Sequence, residues 1–221
     1  NTNEFKILAK KTTNISKLKD VEAFNLIRED EIDIMFDISG MSSINRISLF
    51  KNRLAPKQIS WLAYCNTSGL DNMDYLIADK NLIHKAEEND YSEKIIYLPN
   101  IWNCHSGLSR ERSESDTPCL KEKNITFGSF NNFNKINDRV IFVWSKILQK
   151  VKNSKLILKS SLKMNRNYLK NEFEKNGVID SIIFLEKRKL ENHYNLYKKI
   201  DIALDTFPYN GVTTTFEALS M

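Results

Sequence analysis

The sequence predicts an α/β protein of two doubly wound lobes with a cleft between them. Apolar runs of strand length alternate with segments of near-helical apolar period, the rhythm of strands joined by crossover helices. The alternation occurs twice, before residue 103 and after residue 124. Between them Ser, Arg, Glu, Asp, Pro and Lys dominate, the composition of a linker or surface loop. Right-handed crossovers then predict a parallel sheet in each lobe.

The first lobe opens with a helix over residues 15–30, with apolar positions at Leu18, Val21, Phe24, Leu26 and Ile27. The apolar run from Ile32 ends in Ser39-Gly40 and reads as a buried strand. Ligands meet such sheets at the C-terminal ends of strands, so Ser39 to Asn45 is a candidate rim. Further strands are expected at Gln58–Tyr64, Tyr75–Ala78 and Lys94–Leu98, the last closed by Pro99, which has no N–H for a ladder.

The second lobe starts with a strand at Ile125–Ser129 and a polar loop running to Lys135. Phe130 and Phe133 are expected to pack under that loop. Asp138 is placed to cap a helix whose apolar face is Val140, Ile141, Val143, Trp144, Ile147 and Leu148. A strand at Lys155–Lys159, a helix over Asn167–Asn176 capped by Gly177, and a strand at Ile182–Leu185 follow. A helix around Glu191–Lys199 leads to a buried strand at Ile202–Leu204, then a Pro/Asn/Gly turn. Thr213, Thr214 and Thr215 open the last helix, which stops at Met221. With the missing initiator Met, that stop marks the chain as an expected piece of a longer protein, both lobes being incomplete.

Composition narrows the function classes. An apolar fraction of 41% with 28% charged residues is that of a globular protein, not of a disordered tail or a fibre. No apolar run reaches the roughly 18–20 residues that span a bilayer, and none resembles a signal peptide. Cys65, Cys104 and Cys119 are odd in number and form no C-x-x-C pair, which points to a reduced, cytoplasmic compartment. His84, His105 and His193 are scattered, so no zinc site is expected. The net charge of +5 is spread over many lysines, the pattern of a solvated surface rather than a nucleic-acid or membrane face.

Two places carry anion chemistry. Lys135 and Asn132 sit just past a strand end, where an ammonium and an amide can meet an anion. Thr213 and Thr214 sit at a helix start, where backbone N–H groups lack intrahelical partners. Glu217 lies three residues after Thr214, the spacing of a capping box, and this purely structural reading stays open beside a ligand role. His193 alone reads as a surface or satisfied histidine. Spacing by itself supports an α/β protein with an anion site.

Several words then form a recognisable set. They include Asp37-Ile-Ser-Gly40, Asn45-Arg46, Leu49-Phe50, and Arg53-Leu-Ala-Pro56-Lys-Gln58-Ile-Ser-Trp61-Leu62. Thr67-Ser-Gly69, Met73-Asp74-Tyr75, Tyr91-Ser-Glu-Lys94 and Leu98-Pro99 follow, then Phe127-Gly-Ser-Phe-Asn-Asn132 with Lys135-Ile136. The last is Asp201-Ile-Ala-Leu-Asp205-Thr-Phe-Pro-Tyr-Asn-Gly211 with Thr213-Thr-Thr215 and Glu217-Ala-Leu219. In this order, over residues 17–221, they resemble the catalytic region of O-GlcNAc transferase-type glycosyltransferases, including bacterial and SPINDLY-like members.

The resemblance implies a fold of two Rossmann-like lobes (GT-B). Residues 1–104 would be the C-terminal part of the N-terminal catalytic lobe and 105–124 the interlobe linker. Residues 125–221 would be the N-terminal part of the UDP-sugar-binding lobe. It further implies transfer of a sugar, N-acetylglucosamine or a related hexose, from a UDP-sugar to a protein Ser/Thr hydroxyl, with inversion and without a metal or other cofactor. Lys135 matches the family's diphosphate-contacting lysine, here the catalytic residue, and Asn132 a nearby amide. Thr213 and Thr214 match donors at the diphosphate, Glu217 the acid that holds the ribose, and His193 the histidine beside the nucleoside. Leu62 and Ala63 match a Leu-Gly pair that borders the donor sugar.

The chain departs from the pattern at Ala63, at Val212, where the family often has His or Thr, and at Met41, where many bacterial members have His. These departures leave open a catalytically silent nucleotide-sugar-binding domain; separately, the nearest enzyme alternative is a family member with a different acceptor, such as a surface adhesin or glycan. The family's catalytic-histidine motif and the tetratricopeptide repeats that recruit acceptors are expected upstream, in the full-length protein.

Overall fold

The computed structural model describes residues 2–42, 45–62, 64–105, 116–159, 166–185 and 190–221. It divides into two compact units, Asn1–Cys104 and His105–Met221. Each is built on a four-stranded parallel sheet. Residues 106–115 of the expected linker lie outside the described residues; a short helix, named below, stands in the remainder.

In the first unit, α1 (Thr2–Leu8) and α2 (Asp20–Arg28) precede β1 (Ile34–Asp37), β2 (Lys57–Ser60), β3 (Tyr75–Ala78) and β4 (Lys94–Tyr97). The strands are ordered β1-β2-β3-β4, so successive right-handed crossovers place their connections on one face. Ala23, Leu49, Phe50, Leu54 and Met73 pack into a core there, joined by Leu18, Phe24, Ile27 and Met35. The expected helix at 15–30 is shorter, and Val21 is 71% exposed. At 100° per residue Val21 turns away from the stripe of Ala23, Phe24 and Ile27. The expected strand to Tyr64 stops at Ser60, because Leu62 takes a positive φ of 82° that no strand continues through.

In the second unit, α3 (Cys119–Glu122) leads to β5 (Thr126–Ser129), α4 (Asp138–Lys150), β6 (Lys155–Lys159), α5 (Arg166–Lys175) and β7 (Ile182–Leu185). Then come α6 (Leu190–Tyr197), β8 (Ile202–Ala203) and α7 (Thr213–Ser220). The strand order is β7-β6-β5-β8. The chain thus moves outward from β5 to β7, then returns through α6 to lay β8 on the other side of β5. Such a reversal opens a crevice at the C-terminal ends of the two strands that flank it.

Asn137, not Asp138, caps α4: its Oδ1 accepts from the Val140 N–H at 3.1 Å. Asp138 instead accepts from the Tyr168 hydroxyl, and that bond with burial pushes the Tyr168 hydroxyl up to about 12. Val143 lies on the solvent side of α4, while Val140, Ile141, Trp144 and Leu148 enter the core with Phe127, Phe133, Leu156, Leu158, Leu169 and Phe173. Gly177 ends α5 as expected, with φ +68°. Val178 N–H donates to Phe173 O and Gly177 N–H to Glu174 O, the paired bonds of a Schellman motif. β8 is not the buried strand expected: it pairs with β5 at the sheet's edge and leaves Ile202 47% exposed.

Trp144 is 2% exposed at the centre of this core. Trp144→Ala is expected to cost the second unit about 3–5 kcal/mol, through lost transfer free energy and a residual cavity. Urea unfolding followed by circular dichroism checks this; a loss under about 1 kcal/mol would contradict the packing described. Among the described residues no helix is long and apolar enough to cross a membrane.

Candidate functional site

The crevice of the second unit is built by the segments that follow β5 and β8. Gly128, next to last in β5, lies where Ile200 packs so closely that an added Cβ would be 2.5 Å from its Cγ2. Beyond it, Phe130 turns its ring against Tyr197 and His193, at 4.7 and 5.8 Å between centroids. Phe133 is buried and meets Phe184 edge-on. Both phenylalanines pack under the loop, as expected.

Asn132 opens a 3-10 turn over Phe133–Lys135, its side chain accepting from the Asn134 N–H at 3.0 Å. The turn delivers Lys135 to the second segment, where its Nζ donates to Asn210 O at 2.9 Å and lies 4.5 Å from the centre of the Tyr209 ring. Asn137 ties the segments again, donating from Nδ2 to Phe207 O at 2.7 Å. The peptide bond between Phe207 and Pro208 is cis.

Asp205 is the hub of the segment after β8. Its Oδ1 accepts from the N–H groups of Thr206 and Gly211, both at 2.7 Å, and from Asn131 Nδ2 at 2.9 Å. Its Oδ2 accepts from the Thr215 hydroxyl at 2.9 Å. Asn131 completes the ring by accepting from the Thr214 hydroxyl at 2.8 Å. One carboxylate and one amide thereby lock the start of α7 to the end of β5.

Gly211 leaves room for this ring. A Cβ there would come within 2.6 Å of the Thr214 and Thr215 hydroxyls and 2.8 Å of Asn131 Oδ1. Gly211→Ala is therefore expected to displace both hydroxyls and destabilise the unit by about 1–3 kcal/mol. Thermal unfolding tests this, and an unchanged midpoint would show that the hydroxyls move at no cost.

At the N-terminus of α7, Val212 takes the cap position and its side chain makes no capping bond. Thr213 and Thr214 form the first turn, whose leading N–H groups lack intrahelical acceptors by helix geometry. The capping box between Thr214 and Glu217 is not formed. Glu217, 8% exposed, instead faces α6, where its Oε2 accepts from Tyr197 Oη and lies 3.0 Å from His193 Nε2. His193 Nδ1 lies 2.6 Å from Lys159 Nζ at the end of β6.

This company sets the charges. Burial pushes the Glu217 carboxyl up, but the His193 hydrogen bond, the Tyr197 hydroxyl and the Lys159 ammonium together hold it below its ordinary value. Burial, then the Glu217 charge and hydrogen bond, push the Tyr197 hydroxyl far up, so it stays a donor.

The second unit thus brings together Asn132, Lys135, His193, Thr213, Thr214 and Glu217. Leu62 belongs to the first unit, part-exposed beyond β2, beside Trp61, whose Nε1 donates to Trp102 O at 2.7 Å. Ala63 lies outside the described residues. Sequence reading gave no role to Asn131, Asp205, Tyr197 or Lys159. A helical i, i+4 relation to His193 marks Tyr197, and a lysine closing an apolar strand marks Lys159; Asn131 and Asp205 have no comparable signal. The described residues include no group of three or more His, Cys, Asp or Glu placed to hold a metal ion. A cavity of about 380 Å³ opens beside Asn131, Asp205 and Thr214.

Comparison with known proteins gives the family. The family model described as Glycosyl transferase family 41 matches residues 4–107 and 112–220. The chain belongs to this family. Within glycosyl transferase family 41 it is 37% identical over 202 residues to a protein of Eustoma exaltatum subsp. russellianum named as a "probable UDP-N-acetylglucosamine–peptide N-acetylglucosaminyltransferase SPINDLY". It is 35% identical over the same length to the protein of that name from Arabidopsis thaliana. Each match covers 89% of this chain and 22% of the relative, so the chain spans about a fifth of the curated relatives it matches.

A solved structure, of a mutant Thermobaculum terrenum O-GlcNAc transferase, superposes with a TM-score of 0.90 at 30% identity, over 99% of this chain and 42% of that one. The pneumococcal O-GlcNAc transferase GtfA, in complex with UDP and GlcNAc, shares the fold alone, with a TM-score of 0.53 at 11% identity. Two Rossmann-like units of the GT-B class are therefore the fold of this chain.

Proposed function

We propose that the full-length protein is a UDP-sugar-dependent glycosyltransferase that moves a sugar, N-acetylglucosamine by preference, to a protein Ser/Thr hydroxyl. The second unit supplies the donor site. One observation carries this reading: the polar groups that a nucleotide diphosphate needs gather at the strand-order reversal between β5 and β8, where open α/β sheets take their ligands. The names of the SPINDLY relatives and of the Thermobaculum terrenum enzyme support the donor and the acceptor class.

In this reading the diphosphate lies at the start of α7. The N–H groups of Thr213 and Thr214 and the Thr213 hydroxyl face it there, with Lys135 and Asn132 on the β5 side, while the Thr214 hydroxyl stays on Asn131. Glu217 accepts from the ribose hydroxyls and His193 lies beside the nucleoside. Leu62 and Ala63 border the sugar. The acceptor hydroxyl gives its proton to a general base, which the resemblance places upstream of these residues. Its oxygen attacks the anomeric carbon as the bond to the β-phosphate oxygen breaks on the opposite face, so the configuration inverts. Negative charge grows on the departing UDP, and fixed donors meet it without a metal in the scheme. A reduced cytoplasmic compartment, read from the three free thiols, belongs to the same proposal.

The test is transfer from UDP-N-acetylglucosamine to protein acceptors by the full-length protein, with UDP binding measured in parallel. Transfer is the expected result. UDP binding without any transfer would replace the enzyme by a silent nucleotide-sugar-binding domain. No UDP binding at all would overturn the donor-site assignment.

A further inference from the structure

Lys159 closes an apolar strand, yet it is only 9% exposed, as is His193 on α6. Its Nζ stands 2.6 Å from His193 Nδ1, and His193 Nε2 stands 3.0 Å from Glu217 Oε2. An ammonium has three donors and no acceptor, so a bond this short requires the ring nitrogen to accept. An imidazole that accepts at Nδ1 carries its proton on Nε2, and that proton points at Glu217. The doubly protonated ring has donors at both nitrogens and would set an N–H against the ammonium. The chain of contacts therefore reads in one direction, from ammonium through neutral imidazole to carboxylate.

We propose that Lys159 is a positioning residue of the donor site, fixing His193 in its Nε2–H tautomer and so committing that proton to Glu217. The proposal rests on the reading of His193 and Glu217 as the nucleoside-side pair of that site. Glu217 Oε2 then receives two fixed donors, Tyr197 Oη and His193 Nε2, and the carboxylate plane is set by them. Oε1 carries neither of these bonds, which leaves it as the oxygen to accept from a ribose hydroxyl in this reading. Phe130, Tyr194 and Tyr197 wall the imidazole, with ring centroids 5.5–5.8 Å away, so the ring cannot flip without disturbing them. Without the ammonium, Nδ1 can take a second proton, which the Glu217 carboxylate favours, so the ring is no longer held neutral with its one proton on Nε2. Residues that orient a ligand-binding group in this way are costly to lose even though they do not touch the ligand, as the outer partners of metal-bound histidines show.

The chain has three histidines, so selective 15N labelling of their rings gives a small set of signals, with His193→Gln identifying the pair from position 193. The expected result for the unsubstituted chain is an unprotonated Nδ1 and a protonated Nε2 at neutral pH. Lys159→Met is expected to move the Nδ1 signal towards its protonated position while Nε2 stays protonated, and to weaken UDP binding about tenfold. Lys159→Arg, which keeps a cationic donor, restores both. A protonated Nδ1 in the unsubstituted chain would overturn the tautomer outright, and it needs no variant to fold. Lys159→Met with unchanged ring signals, or with unchanged UDP affinity, would remove the positioning role. If UDP fails to bind the unsubstituted protein while the ring signals are as expected, the donor-site reading fails and the tautomer stands alone.

Discussion

Lys135→Ala is expected to lower turnover about a hundred- to a thousand-fold while leaving donor affinity little changed. The side chain is held in place before any ligand arrives, by its bond to Asn210 O and by the Tyr209 ring. A cation fixed in this way needs no rearrangement when charge develops on the leaving UDP, so its contribution grows between ground state and transition state. Interactions of that kind appear in kcat and are largely absent from the binding constant. The measurement is steady-state transfer by the full-length protein, with UDP affinity determined separately by calorimetry. A loss confined to affinity, with kcat intact, would recast Lys135 as a binding residue. The same substitution also frees the carbonyl of Asn210, so an unchanged thermal midpoint is the control that the segment after β8 stays in place.

Glu217→Ala has the second large effect, and it falls on both binding and stability. The carboxylate is the anion of a buried cluster that contains Lys159, His193 and Tyr197. Truncation removes the carboxylate that accepts from the Tyr197 hydroxyl and lies 3.0 Å from His193 Nε2. Leaving buried donors without this acceptor costs about 1–3 kcal/mol. UDP binding is expected to weaken broadly, through loss of the ribose acceptor and loosening of His193.

The acid limb of stability follows from the same group. Burial favours the protonated carboxyl, but the His193 bond, Tyr197 and Lys159 outweigh it. The folded carboxyl therefore titrates below its ordinary value of 4.5. A depressed carboxyl stabilises the fold above its unfolded value, and that stability drains away as pH falls through the folded value. Stability against urea should therefore drop below about pH 4.5, and Glu217→Gln should flatten that part of the profile. A variant profile parallel to the parent's would place the acid sensitivity elsewhere.

Much of the architecture was legible because it rests on short-range pattern. Leu156, Ile157 and Leu158 spell a strand buried on both faces, and Trp144 and Leu148 follow Val140 and Ile141 at helical spacing. Gly177 ends α5 for a reason confined to five residues of backbone. Errors came where two local signals competed. Asn137 and Asp138 are both capping types, and only the packing of α4 against α5 decided which one caps and which one receives Tyr168. Ile202 is apolar because it lies in a sheet, but its exposure depends on standing at the edge of that sheet.

The site divides along the same line. Family words in the sequence named Lys135, Asn132, His193, Thr213, Thr214 and Glu217, and the threonine helix start was readable as an anion site from residue type alone. Whether Glu217 capped its own helix or faced another was undecidable at a spacing of three residues. Tertiary structure decided it, because α6 carries His193 and Tyr197 to within 3.0 Å of the carboxylate. Asn131 likewise meets Asp205 and Thr214 from 74 and 83 residues away. Those pairings exist because the strand order reverses at β5, which lays β8 beside it and brings two remote loops to one crevice. Periodicity and turn chemistry act over a few residues and are written in the sequence by itself; which loops become neighbours is set by the order of strands, and only the folded sheet decides that.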